Sequence, residues 1–153
     1  MQISTLILAL AAFLTPLTLA GPVVDDPLNG LKSIPEEANI GRCSNITHMR
    51  GETTPGSPLV DDCIEMVNQI FFHKFWERKE GTHTLVEYKT CKFVVRNTLQ
   101  RWSYFIGEAD IRKAVVEAIE KHGDKEGAEN RRVGATGYMN CGGPDIRWYI
   151  HHT

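Results

Sequence analysis

The chain has 153 residues, 42% of them hydrophobic and 24% charged, with 17 Lys and Arg against 19 Asp and Glu. That length suits one small domain, and a net charge of -2 excludes a protein that holds nucleic acid by bulk positive charge. With 13 Gly and 7 Pro among so many apolar residues, a collagen-like or wholly unfolded chain is excluded too.

Residues 1–20 read as a signal peptide. Gln2 to Ala20 carry no charged side chain, and the apolar run Leu6 to Leu14 is too short to span a bilayer. Pro16 breaks that run, and Thr18-Leu19-Ala20 offers small residues for cleavage after Ala20. Residues 21–40 read as an acidic, disordered leader or propeptide. Pro22, Pro27 and Pro35 interrupt any period there, and Asp25, Asp26, Glu36 and Glu37 outweigh the single base Lys32. Residues 41–153 then form the one folded domain, which is close to neutral, so charge names no partner.

A short strand is expected around Cys43 to Met49. Ser57 as N-cap and Pro58 at the first helical position open a helix whose stripe is Leu59, Cys63, Met66, Val67 and Ile70, running to about Lys79. Thr84 to Val95 and Arg101 to Ile106 are rich in β-branched and aromatic residues and read as a hairpin turning near Asn97. A second helix is expected from Glu108 to His122, between Gly107 and Gly123, with Ile111, Val115, Ala118 and Ile119 as its stripe. After a polar loop, Val133 to Cys141 and Ile146 to Ile150 flank the turn Gly142-Gly143-Pro144-Asp145. The order β-α-β-β-α-β-β predicts an α+β fold, two helices packed on one face of a largely antiparallel five-stranded sheet.

All four cysteines, Cys43, Cys63, Cys91 and Cys141, lie in the domain. An even count behind a signal peptide reads as two disulfides; a metal site would want a C-x-x-C pair or His at ligand spacing, and neither is present. Cys63 belongs to the inward stripe of the first helix, and Cys91 alternates with Phe93 and Val95 on an apolar strand face. That orientation favours Cys63–Cys91 with Cys43–Cys141, although Cys141, alternating with Met139 and Ala135, remains a competitor for Cys63. Asn45-Ile46-Thr47 makes Asn45 a candidate glycosylation site.

Catalytic motifs are lacking: there is no G-x-S-x-G, H-E-x-x-H, P-loop or G-x-G-x-x-G. His73 and Glu77, four apart on the first expected helix, could share a metal but read more simply as surface residues. His83, Glu87 and Arg96 resemble the His/Glu/Arg set of small secreted fungal ribonucleases, in which acid and base flank a phosphate. Trp76, Trp102 and Trp148 read as core, and Arg131-Arg132 as a loop pair rather than a processing site. No catalytic, cofactor or metal residue is therefore assigned.

Several segments match a known pattern in order and spacing. They are Cys43, Ser57-Pro58-Leu59-Val60-Asp61-Asp62-Cys63, Thr90-Cys91-Lys92-Phe93-Val94-Val95, Ile106-Gly107-Glu108-Ala109-Asp110-Ile111, Val133-Gly134-Ala135-Thr136-Gly137-Tyr138-Met139-Asn140-Cys141 and Ile146-Arg147-Trp148. In these the domain resembles the fungal necrosis-inducing factor family of extracellular effectors, from about Cys43 to Ile150. The resemblance implies a killer-toxin-like α/β sandwich, of the kind found in smut-fungus viral toxins, and a secreted virulence protein without an assigned catalytic residue. The expected function is binding of a host or competitor target (a protein, membrane component or glycan) by a monomer, with necrosis or growth inhibition as the outcome. No enzymatic activity, nucleic acid or cofactor is expected. A ribonuclease-type hydrolase and a cell-wall carbohydrate-binding protein are the alternatives.

Overall fold

The structure is a computed structural model that describes residues 26–33, 42–70, 75–97, 103–124, 130–143 and 145–153. The expected signal peptide lies outside the described residues, as do Trp102 and His73. The elements are β1 (Thr47–Gly51), α1 (Val60–Asn68), β2 (Phe75–Arg78), β3 (Gly81–Tyr88), β4 (Cys91–Asn97), β5 (Tyr104–Gly107), α2 (Glu108–His122), β6 (Ala135–Asn140) and β7 (Asp145–His152). Five strands form an antiparallel sheet in the order β1-β6-β7-β4-β3, and β2 pairs with β5 in a separate ribbon. The α+β class is as read from the sequence.

Both helices pack on one face of the sheet. Phe93 and Val95 of β4, Ile146, Trp148 and Ile150 of β7, and Ala135 and Met139 of β6 are all buried in one cluster with the helix stripes. Alternation within each strand sets that face, because side chains two apart share a side. α2 begins and ends where its flanking glycines predict. Its first turn is held by the Asp110 carboxylate, which accepts hydrogen bonds from the backbone N–H groups of Gly107 (2.8 Å), Arg42 (2.8 Å) and Cys43 (3.1 Å).

Three expected elements differ. The first helix starts at Val60 rather than Pro58, because Pro58 and Leu59 are drawn into extended contact with residues 131–133: Val133 N–H donates to Pro58 O, and Leu59 bridges Arg132. Ser57 serves the preceding loop instead, its Oγ accepting from Thr54 N–H at 2.9 Å. The same helix stops at Asn68 rather than near Lys79, and Phe75 to Arg78 form a strand whose Trp76 is buried between exposed Phe75 and Glu77. Glu77 is thus on a strand and not on a helix beside His73. The long expected strand from Thr84 to Val95 is two strands, β3 and β4, turning at Lys89 and Thr90, where Lys89 takes φ 46°. β5 pairs with β2 and not with β4.

The structure pairs Cys63 with Cys91, tying α1 to β4, and Cys43 with Cys141, tying the approach to β1 to the end of β6. Beside Cys63, the buried Asp62 carboxylate accepts from the Thr90 hydroxyl at 2.6 Å, and Thr90 Oγ1 accepts from Leu59 N–H at 3.0 Å. Leu59, Asp62 and Cys63 therefore grip the β3–β4 turn together. Residues 26–33, within the expected leader, do not stand away from the body: Leu28 and Leu31 pack against the core cluster.

Candidate functional site

The face of the sheet opposite the helices is covered by no element among the described residues. In an antiparallel sheet, residues directly opposite one another share a face, so the register gives its rows. One row runs Thr82, Arg96, Arg147, Tyr138, Thr47. The next runs Thr84, Val94, Tyr149, Thr136, Arg50, and a shorter one runs Glu87, Lys92, His151. Bulges in β1 and β3 keep these outward sets on one side; His48, at φ 50°, sits at the first of them.

The centre of this face is a packed stack of cations and rings. The Arg147 guanidinium lies 4.8 Å from the Tyr149 ring centre and 5.9 Å from that of Tyr138, and its Nε donates to Thr136 Oγ1 at 3.2 Å. His151 stacks on Tyr149 at 5.1 Å, and His48 meets Tyr138 edge-on at 6.2 Å. Arg96 is exposed directly opposite Arg147. The acidic side chains of the face stand at its margins: Glu87 on the edge strand, Asp145 at the β6–β7 turn, and Glu52 just past β1. Among the described residues none of Arg50, Lys92, Arg96 and Arg147 forms an ion pair with a carboxylate.

At its Lys92–His151 end the face runs into a groove of about 470 Å³, walled by Lys92, His151 and His152 on one side and by Glu52, Thr54 and Ser57 on the other. The loop wall is held close: Gly134 N–H donates to Thr53 Oγ1 at 3.0 Å, and a Cβ on Gly134 would lie 2.7 Å from Ser57 Oγ and 2.8 Å from Glu52 O. Burial, and secondarily the Lys92 ammonium, push the His151 pKa below 6.5, while Glu52 pulls it up. Groove and sheet face therefore form one polar surface in which the imidazole of His151 is neutral at neutral pH.

The residues weighed for hydrolysis are not gathered. His83 stands opposite Val95, on the helix side of β3, whereas Glu87 and Arg96 lie on the outer side. Trp76 and Trp148 are buried, at 7% and 0% exposure, which leaves their ring faces unavailable to a ligand. Asn45 is exposed, its Oδ1 accepting from Lys113 Nζ at 3.3 Å. Arg131 and Arg132 are half-buried, donating to Pro27 O and Ser57 O. Alternation along β7 already puts Arg147, Tyr149 and His151 on one face, but nothing local to the sequence sets Tyr138, Arg96 and Lys92 beside them, since only the strand order brings β6, β7 and β4 side by side.

Among the described residues, no three His, Cys, Asp or Glu side chains cluster as a metal site would need, and no helix is long and apolar enough to cross a membrane. No curated protein matches the chain significantly. A family model, Hce2, described as pathogen effector and putative necrosis-inducing factor, matches residues 42–141. That span holds the motif segments through Cys141 and both disulfides. The chain belongs to this family of pathogen effectors.

Proposed function

We propose that the chain is a secreted effector that binds a host or competitor target through the uncovered sheet face, causing necrosis or growth inhibition without catalysing a reaction. In this reading the signal peptide is removed after Ala20, the two disulfides staple the domain outside the producing cell, Asn45 carries a glycan, and the protein works as a monomer. The observation that carries it is the Arg96–Arg147 pair with Tyr138 and Tyr149. Like charges directly opposite one another cost stability in a sheet, and among the described residues neither of these two forms an ion pair with a carboxylate. Such an arrangement serves recognition better than folding. A ribonuclease using His83, Glu87 and Arg96 finds no support in residues on opposite faces of the sheet. A carbohydrate-binding role is the second reading, favoured by the tyrosine and threonine hydroxyls on the exposed face.

Infiltration of purified protein into tissue tests this. Arg96→Glu and Lys92→Glu should weaken or abolish the response, while Lys121→Glu on the helix side keeps it. Equal activity in all three variants would overturn the reading.

A further inference from the structure

The outward positions of β4 and β7 alternate in a simple order. Arg96 faces Arg147, Val94 faces Tyr149, and Lys92 faces His151. The two basic rows lie four residues apart along the strands, about 13 Å, with the tyrosine row between them. A strip of this kind meets a ligand that is itself extended and carries repeated anionic groups.

The details discriminate among such ligands. Single-stranded nucleic acid is held by bases stacking on open aromatic faces. Here Arg147 and His151 both pack on Tyr149, and Arg147 and His48 both contact Tyr138, so the rings are taken. Anionic lipid is usually engaged by basic side chains together with inserted apolar ones. The one aliphatic side chain in the middle of this face, Val94, is 7% exposed, and the exposed Phe75 and Phe105 belong to the separate β2–β5 ribbon.

What the face does offer is hydroxyl groups around guanidinium forks. The side-chain hydroxyls of Thr82, Thr84, Tyr138 and Tyr149 make no hydrogen bond among the described residues. A planar guanidinium matches a carboxylate with two parallel hydrogen bonds, and free hydroxyls match those of a sugar ring.

We infer that the strip along β4 and β7 binds a linear acidic polysaccharide, with uronate carboxylates seated at Arg96 and Arg147 and again at Lys92, and ring hydroxyls against the tyrosine and threonine hydroxyls. The inference rests on the reading that the sheet face is the binding surface. The carboxylate supplies the countercharge that the opposed arginines lack, and Glu87 and Asp145 at the margins keep the chain along the middle of the strip. Affinity should fall as salt rises, because the attraction lies at an exposed surface.

The test is titration of purified protein with four probes: polygalacturonate, the same polymer fully methyl-esterified, single-stranded RNA, and phosphatidylserine vesicles. Polygalacturonate should bind, the esterified polymer should bind at least tenfold more weakly, and RNA and vesicles should bind more weakly than polygalacturonate. Arg96→Gln, which removes no hydrogen bond or ion pair among the described residues, and the double variant Arg96→Gln/Arg147→Gln should lose affinity stepwise, with far-UV circular dichroism unchanged; Lys121→Gln should bind as the parent does. Equal binding of the esterified polymer, tighter binding of RNA or vesicles, or unchanged binding by both arginine variants would overturn the inference. The tissue assay separates it from the reading beneath it. If polygalacturonate is not bound while the charge variants lose activity, only the polysaccharide is wrong. If it is bound through Arg96 while those variants keep full activity, the polysaccharide site stands and the effector acts through another surface.

Discussion

Gly137 and Trp148 stand opposite one another on β6 and β7, and a Cβ on Gly137 would lie 2.6 Å from Cζ2 of the indole. The indole, fully buried, also stacks on Phe93 at 5.8 Å across the next strand. Glycine is thus required at 137 by close approach, not by a turn. Gly134, three residues earlier, is required for the same reason against Ser57 and Glu52. The Val-Gly-Ala-x-Gly-x-Met segment is in this sense a packing statement.

Gly137→Ala should therefore destabilise the domain by about 1–3 kcal/mol, the usual cost of overfilling a packed core. In a Trp148→Leu background, where the indole is gone, the same change should cost much less. Urea unfolding of the four proteins measures the coupling; equal costs in both backgrounds would place the strain elsewhere.

How far this was legible in the sequence depends on how local the cause is. α2 could be read to the residue because its stripe, its flanking glycines and its terminal charges all lie within its own span. The end of α1 carries no glycine or proline, and β2 is only four residues long, with a partner strand nearly thirty residues further along the chain. The turn at Lys89 and Thr90 was hidden because it uses none of Gly, Pro, Asn or Asp; Asp62 and Thr90 hold it through a side-chain contact 28 residues apart in sequence. Inward faces could be read by alternation. The outward set of each strand follows from the same alternation, but the outer face as a whole does not, because the Arg96–Arg147 pair exists only once β7 is known to lie between β6 and β4.

His151 gives a pH prediction with a definite sign. Its pKa is held below 6.5 first by burial and then by Lys92, with Glu52 opposing. The folded state therefore binds fewer protons than the unfolded state between that lowered value and 6.5. The contribution to stability is present above pH 6.5 and is lost as pH falls toward the lowered pKa. In an NMR titration the imidazole midpoint should move up in Lys92→Ala and further down in Glu52→Gln. His152 is adjacent in sequence and lines the same groove, so its resonance must be assigned separately. Unchanged midpoints in both variants would mean that burial alone sets the shift.

The last prediction concerns the acidic leader. Composition alone suggested a segment without packing, yet residues 26–33 lie against both helices. Asp26 Oδ1 accepts from Leu28 N–H at 2.9 Å, and Leu31 N–H donates to Leu28 O at 2.9 Å, which folds the segment into a turn. Gly30 completes it at φ 94°, a backbone conformation that favours glycine. Asn68, the last residue of α1, then clasps the turn with both ends of its amide: Nδ2 donates to Gly30 O at 2.8 Å, and Oδ1 accepts from Lys32 N–H at 3.0 Å. Arg131 adds a hydrogen bond to Pro27 O at 3.2 Å, and Arg112 one to Lys32 O. Leu28 and Leu31 bury apolar surface beneath the clasp. Two partly exposed hydrogen bonds at about 0.5–1.5 kcal/mol each set the scale for the amide. Asn68→Ala should thus cost about 1–2 kcal/mol in protein that retains the leader. Protein trimmed through residue 33 should be less stable than the untrimmed form, and Asn68→Ala should cost it almost nothing further. Thermal unfolding of the four forms decides the matter: an equal penalty for Asn68→Ala with and without the leader would show that Asn68 serves α1 alone.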